Sequence, residues 1–364
     1  MVEIADLFRI HGPAYRAQFG DRMLPSHRRV MQDMERCRTE PLGGQVYHCE
    51  TCQAYHYSYH SCKNRHCPTC QQDPAEQWLE HQQRLLLPVP HFMVTFTLPA
   101  ELRGLARRHQ KTLYNILFRS SSEALQALAL DPRFIGGRIG MVGVLHTWTR
   151  DLRYHPHVHY IVAGGGLSAD GAWLPARQDF LVHATPLSIL FRAKFRAYLQ
   201  KTDLFPLVDA HVWTKDWVVH CKPVGSGEEA FRYLAPYVFR VAISNHRILK
   251  LENGHVTFQY KDSATHQTQS ATVPAQEFIR RFLQHVLPDR FIKVRYYGFL
   301  SPGNRPLRTQ VRRVLGASTV TSTTLGQHPA GKESTNAREA PRCPRCGTRL
   351  ILVETLRPNT RSPP

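Results

Sequence analysis

Acidic side chains are scarce in this sequence: 28 Asp and Glu stand against 47 Lys and Arg, a formal net charge of +19 with an isoelectric point near 9.8. That deficit argues against a basic partner and points to a polyanionic one, because the summed positive field attracts phosphate-rich surfaces. Long apolar runs are also missing. The longest uncharged apolar stretch, Leu85 to Ala100, is interrupted by Pro88, Pro90, Pro99 and His91. It falls short of the roughly 18 residues a membrane helix needs, so no span is expected. The first thirty residues carry no apolar run flanked by small residues of the kind a secretory signal requires, which predicts a cytoplasmic protein. Without a phosphate-cradling glycine loop, no nucleotide cofactor is expected. No internal repeat is visible.

Cysteine, by contrast, is present nine times in the 364 residues. The odd count and the short CxxC spacings favour reduced thiolates on metal over disulfides. The length allows two or three domains. Residues 1–90 read as an N-terminal helical and zinc-binding module. Its apolar positions Ile4, Leu7, Phe8 and then Val30, Met31, Met34 have helical spacing, divided by Pro13 and Pro25. A Cys/His/Tyr-rich stretch from Val46 to Cys70 follows, then a polar helix ending before Pro88 and Pro90.

Residues 91–315 change character. Strand-like runs (Phe92 to Leu98, Met141 to Trp148, Val158 to Ala163, Val212 to His220, His255 to Tyr260, Phe291 to Tyr297) alternate irregularly with helical stretches (Glu101 to Ala129, Leu187 to Gln200, Ala275 to Leu287). That pattern predicts an α+β fold with a mostly antiparallel central sheet flanked by helices. Residues 316–364 read as a flexible linker, rich in Ser, Thr, Gly and Pro from 318 to 341, and a CxxC tail.

Cys49-x2-Cys52 and, fourteen residues on, Cys67-x2-Cys70 have the spacing at which thiolates close a tetrahedron round Zn²⁺. Cys62, His48, His60 and His66 lie in or beside the segment, leaving open four cysteines, three cysteines with a histidine, or a two-zinc cluster. A closed site of this kind is structural. Lys63 and Arg65, with Tyr55, Tyr57 and Tyr59, interleave charge with rings able to stack on unpaired bases, making DNA contact an expectation. Cys343 and Cys346 supply half a site, its partners open among Cys37, a histidine or a second subunit.

His157 and His159 alternate with apolar residues in a strand, so they share one face, roughly 6 to 7 Å apart along the backbone. A third histidine, His146, sits in the preceding strand. A turn centred near Leu152 sets it opposite His157 or His159, gathering three imidazoles suited to one divalent cation. Tyr233 and Tyr237, four apart, share a helix face, although Pro236 between them is expected to start or kink that helix. A phenol of ordinary pKa near 10 needs a cation to help it attack a phosphodiester.

Several segments together resemble the two-tyrosine HUH endonucleases, and among them the rolling-circle transposases of bacterial insertion sequences, the IS-ninety-one family. They are Asn64-Arg65-His66-Cys67-Pro68-x-Cys70, Val94-x-Phe96-Thr97-Leu98-Pro99, Leu145-His146-Thr147-Trp148, His155-Pro156-His157-Val158-His159 and Tyr233-Leu234-x2-Tyr237-Val238-x-Arg240-Val241-Ala242-Ile243-Ser244. The resemblance spans roughly residues 10 to 315. It implies an HUH-type sheet in which His157, His159 and His146 hold Mg²⁺ or Mn²⁺ and Tyr233 and Tyr237 are nucleophiles. It further implies cleavage of single-stranded DNA at element ends through a 5′-phosphotyrosine, strand transfer to a new target, and a nucleoid-associated bacterial protein. Arg305, Arg308 and Arg312 recur at helical spacing as a phosphate-contacting stripe, and Gly164-Gly165-Gly166 is read as a turn or a place of close DNA approach. Two readings compete: a replication initiator or relaxase of the same chemistry, and a non-catalytic zinc-dependent DNA-binding protein.

Overall fold

The structure is a computed structural model. It describes residues 2–70, 72–239, 243–262, 265, 267–317 and 341–359, with only the backbone at 72–75, 233, 234 and 236–239. Two helices open the chain. Helix α1 (Ile4–Phe19) starts on a reciprocal cap between Glu3 and Asp6 and continues through Pro13, which therefore does not divide it; α2 (Pro25–Arg36) begins on its proline, where no backbone donor is needed. The hairpin β1 (Gly44–Cys49) and β2 (Ala54–Tyr59) leads to α3 (Gln72–Leu85).

The central part then runs β3 (His91–Thr97), α4 (Arg103–Arg108), α5 (Gln110–Ala129), β4 (Gly140–Trp148), β5 (Tyr154–Ala163), β6 (Gly165–Leu167), β7 (Trp173–Pro175), α6 (Ala184–Leu199), β8 (Val219–Pro223) and α7 (Glu228–Phe239). It continues through β9 (Ile248–Glu252), β10 (His255–Lys261), β11 (Thr268–Pro274), α8 (Ala275–Leu283), β12 (Val294–Gly298) and α9 (Arg305–Val314), and β13 (Ile351–Leu356) comes last. The fold is α+β with antiparallel sheets.

The strand expected over Val212 to His220 is instead a 3₁₀ turn, Ala210–Trp213, followed by β8. Its apolar residues are not a sheet face: Trp213 and Trp217 stack on each other, and Trp217 meets Phe191 and Phe195 of α6 edge-on. Asp209 accepts from the His211 amide and caps the turn.

Five strands form the central sheet in the order β12-β4-β5-β3-β8, every neighbouring pair antiparallel. Side-chain alternation gives this sheet two unlike faces. One face, with Phe92, Val94, Phe96, Met141, Leu145, Val158, Tyr160 and Val162, is sealed by apolar side chains of α5 and α6. Gly143 lies under the Tyr160 ring, where an added Cβ would come within 2.5 Å of Cε1. On the opposite face Val142, Val144 and Ile161 pack against Ala230 and Phe231 of α7 and Trp78 of α3.

A second sheet, β11-β10-β9, carries α8 and shares one core with α1 and α2, in which Phe8 meets Phe282 edge-on at 5.4 Å. The N-terminal helices are thus built onto this later sheet. The third sheet joins both ends of the chain: β13 pairs antiparallel with β1, so described residues 341–359 are not a free tail. Of the expected linker from 318 to 341, residues 318–340 lie outside the described residues.

Candidate active site

Two strands assemble the histidines. In the β4–β5 pair, the turn at Thr149–Arg153 has Leu152 at φ +67°, and the resulting register sets His146 directly opposite His157. His159 projects two residues along β5 on the same face, opposite Val144. Ring centroids are 5.3 Å apart for His146–His157, 4.6 Å for His146–His159 and 4.8 Å for His157–His159, and one nitrogen from each lies within 4.8 Å of the others. His146 and His159 are buried and His157 is half-buried, so the cluster opens on the His157 side.

Hydrogen bonds orient the rings. His157 Nδ1 lies 2.7 Å from the His155 carbonyl, which can only accept, so Nδ1 carries the proton and Nε2 keeps its lone pair. His159 Nδ1 is 2.8 Å from Thr95 Oγ1, on the strand paired with it. Burial keeps all three imidazoles uncharged: it pushes His157 down to about 4, and holds His146 and His159 well below the ordinary range with help from neighbouring imidazoles. A neutral imidazole with its remote nitrogen oriented is suited to ligate a metal.

Residues given no individual role from sequence complete the surroundings. Trp148 stacks on His146 at 5.4 Å and an interplanar angle of 12°, and Lys293 Nζ sits 4.8 Å above the Trp148 ring. Lys293 is placed by its carbonyl, which accepts from Leu145 N next to His146; burial pushes its ammonium down to about 7. Arg103 donates to His155 Nδ1 at 2.6 Å, bringing a cation to the rim. A lysine inside the apolar run Phe291 to Tyr297 was the available signal for Lys293. Nothing in the spacing marks Arg103 or Thr95.

Helix α7 runs unbroken from Glu228 to Phe239, so Pro236 neither starts nor ends it. Its buried Ala230 and Phe231 rest on Val142, Val144 and Ile161, the same sheet face that carries the histidines. The side chains of Tyr233 and Tyr237 lie outside the described residues.

The cysteines form two clusters, not the single knuckle pair of Cys49, Cys52, Cys67 and Cys70. Cys62, Cys67 and Cys70 gather with Cys37, with Sγ–Sγ distances of 3.4 Å for Cys37–Cys70, 3.5 Å for Cys62–Cys70 and 3.7 Å for Cys37–Cys67. Cys49 and Cys52 gather with Cys343 and Cys346. The hairpin explains the split. Cys49 and Cys52 occupy its tip, where Cys49 pairs with Ala54, while Cys62 follows its base, where Gly44 pairs with Tyr59. Five residue steps of extended strand, roughly 17 Å, separate them. In the first cluster the spacings match the roughly 3.8 Å edge of a tetrahedron with 2.3 Å zinc–sulfur bonds.

Comparison with known proteins is consistent with both halves of this picture. Residues 7–98 match a family described as "Transposase zinc-binding domain", and residues 140–307 one described as "Putative transposase". The chain is 38% identical to "Putative transposase y4qJ" of Sinorhizobium fredii, over 100% of this chain and 97% of that protein. It is 29% identical to the "Transposase for insertion sequence element IS801" of Pseudomonas savastanoi pv. phaseolicola, over 88% of this chain and 82% of the relative. The chain belongs to the IS91 family of transposases. No solved structure matches it.

As a member of that family the transposase is a DNA-processing enzyme with a zinc-binding domain, and among its described residues no helix is long and apolar enough to cross a membrane. Its candidate DNA-contacting residues divide. Lys63 is exposed, as are Tyr55 and Tyr57 on β2. Arg65 instead donates to the carbonyls of Phe291 (2.7 Å) and Pro288 (2.8 Å), tying the zinc module to the segment before β12. On α9, Arg305 is exposed and Arg312 half-buried, whereas Arg308 is only 9% exposed, so the three are not one solvated stripe. The glycines 164–166 are buried: a Cβ on Gly164 would lie 2.5 Å from the Pro90 carbonyl oxygen, and one on Gly166 2.8 Å from the Gly137 carbonyl carbon. The close approach that these two glycines permit is to the protein's own backbone.

Proposed function

We propose that this transposase nicks and rejoins a single DNA strand by HUH-type tyrosine chemistry, moving an insertion sequence by a rolling-circle route. The observation that carries the reading is the trio His146, His157 and His159, neutral, on one sheet face, with His157 Nε2 left free for coordination by the His155 carbonyl. The donor set fits a divalent cation. Three nitrogens form a softer set than Mg²⁺ prefers, so Mn²⁺ is expected to bind more tightly, with water or phosphate oxygens as the remaining ligands. When bound, such an ion polarises the scissile phosphate and offsets charge on the leaving oxygen.

The chain's own groups do the rest. Tyr233 or Tyr237 attacks phosphorus: a phenol O–P bond forms to the 5′ side, the P–O3′ bond breaks with its electron pair going to the 3′ oxygen, the phenolic proton passes to solvent, and the 3′ oxygen takes a proton from solvent to become a hydroxyl. Strand transfer reverses these steps with a new 3′ end, and because the phosphotyrosine conserves the ester, no ATP is consumed. Support for two tyrosines serving one site comes from α7, whose buried residues pack on the histidine-bearing face. Arg103, at the edge of the cluster, is suited to hold the phosphate backbone. A metal-assisted attack needs the scissile phosphate beside the imidazoles, and a single strand enters such a recess more readily than a stiff duplex. Zinc at Cys37, Cys62, Cys67 and Cys70 is structural in this reading.

The test is incubation of the full-length protein with labelled single-stranded oligonucleotides spanning the element ends and Mn²⁺. A denaturation-resistant adduct is expected from the wild type and none from Tyr233→Phe/Tyr237→Phe. An adduct of equal yield in that double variant would overturn the nucleophile assignment.

A further inference from the structure

We propose that Cys49, Cys52, Cys343 and Cys346 bind a second Zn²⁺, distinct from the ion at Cys37, Cys62, Cys67 and Cys70, and that this metal is what docks the C-terminal segment onto the β1–β2 hairpin. The match to the zinc-binding family ends at residue 98, so half of this ligand set lies far outside it. Four sulfurs nonetheless converge: Cys49–Cys346 are 3.5 Å apart, Cys52–Cys343 are 4.0 Å apart, and all four lie within 4.8 Å of one another. These spacings bracket the edge of a zinc tetrathiolate and exceed by far a disulfide bond of about 2.05 Å.

Each pair sits in a tight knuckle that turns both thiols to one point. In the first, Cys52 N donates to Cys49 Sγ at 3.4 Å and Gln53 takes φ +50°. In the second, Cys343-Pro344-Arg345-Cys346-Gly347, Gly347 adopts φ +74° and its amide donates to the Cys343 carbonyl at 2.8 Å, while Cys343 N donates to Thr348 O at 2.8 Å. A residue with a Cβ is disfavoured at that φ, which gives this glycine a structural purpose. Polar groups surround the sulfurs as they do around metal-bound thiolates: Thr348 Oγ1 is 3.3 Å from Cys346 Sγ, and His56 Nε2 is 3.5 Å from Cys343 Sγ.

The packing shows why a metal is needed. The apolar cluster at the four sulfurs has just Cys49, Cys343 and Leu350 as buried members among the described residues, and residues 351–355 of β13 are exposed on both faces. Ladder hydrogen bonds from one edge strand contribute little without apolar burial. Four thiolates closing on an ion supply what the missing core does not, as in other small modules whose folding free energy is metal-binding free energy. The ligands come from opposite ends of the chain, so the ion also closes the molecule into a ring.

Metal content of the full-length protein, reconstituted with Zn²⁺ and freed of excess by gel filtration, tests this directly. Two zinc ions per chain and no stoichiometric iron are expected, falling to one in Cys343→Ser/Cys346→Ser and remaining two in Cys221→Ser, a cysteine outside both clusters. In the Co²⁺-substituted protein the sulfur-to-cobalt charge-transfer absorbance should halve in the same double variant. Hydrogen exchange of the β13 amides should become fast there, with α1, α2 and the central sheet unchanged. One zinc in the wild type, an unchanged count in Cys343→Ser/Cys346→Ser, stoichiometric iron, or undiminished protection of β13 in that variant would each overturn the proposal.

Discussion

The histidine cluster stands on neighbouring strands of one sheet, where hydrogen-bond register alone decides which imidazoles meet. The buried cysteine cluster is drawn from the end of α2 at Cys37 and from the irregular segment after β2, with no ladder behind it. The first arrangement rests on the β4–β5 ladder and leaves one side open at His157. The second surrounds its centre with four sulfurs and needs the ion to hold crossing segments together. An open trio set by register has the form of the proposed reactive site, whereas a closed thiolate tetrahedron can only brace. Substitutions should separate the two: damage at the cysteines reads out in folding, damage at the histidines in chemistry.

The largest effect is expected at the cysteines. Cys67→Ser removes a buried ligand from the cluster that joins α2 to the segment after β2, and α2 shares its core with α1 and α8. Loss of a structural zinc costs several kcal/mol, so melting should fall by on the order of 10 °C. Residues 46–70 should become protease-sensitive. A melting temperature within about 2 °C of wild type would mean that this cluster braces nothing.

Next comes His157→Ala. Removing one imidazole from a catalytic ion is expected to lower the nicking rate by roughly 10³-fold, on the scale of the several kcal/mol such an ion supplies. Melting and oligonucleotide binding should change little, because the strand ladder stays intact. Equal losses of stability and cleavage would instead mark the histidines as structural. Thr95→Val tests the ring-orienting hydrogen bond more finely: metal affinity should drop roughly 10- to 100-fold, with the maximal rate recovered at saturating Mn²⁺.

What could be read from the sequence follows the same division. Period-two alternation in Met141 to Trp148 and Val158 to Ala163, with a turn at Leu152, was enough to bring His146 opposite His157 or His159, and the structure's register selects His157. The partition of the cysteines was not legible. CxxC spacing says that two thiols share an ion but not which other pair joins them, and that depends on the hairpin length and on β13 returning from the far end of the chain. Trp213 and Trp217 misled for a related reason, since aromatic density signals burial equally in a strand or in a core-packed turn. Lys293, Thr95 and Arg103 are ordinary residue types, and only tertiary placement brings them to the histidines.

The smallest expected effect concerns Lys293. Burial pushes its ammonium from the ordinary 10.5 down to about 7. Between those values the unfolded chain holds a proton that the folded one has released, so stability should rise with pH from about 7 toward 9, by at most about 1.4 kcal/mol per pH unit. Lys293→Met removes the titrating group, so the stability difference between it and wild type should stay constant below pH 7 and shift in favour of wild type as pH rises above 7. If the two proteins instead show parallel stability profiles from pH 6 to 9, the ammonium stays charged in the folded state. The histidine site then carries a permanent cation at its edge, and the contrast between a neutral, exchangeable centre and a charged, closed one loses part of its force.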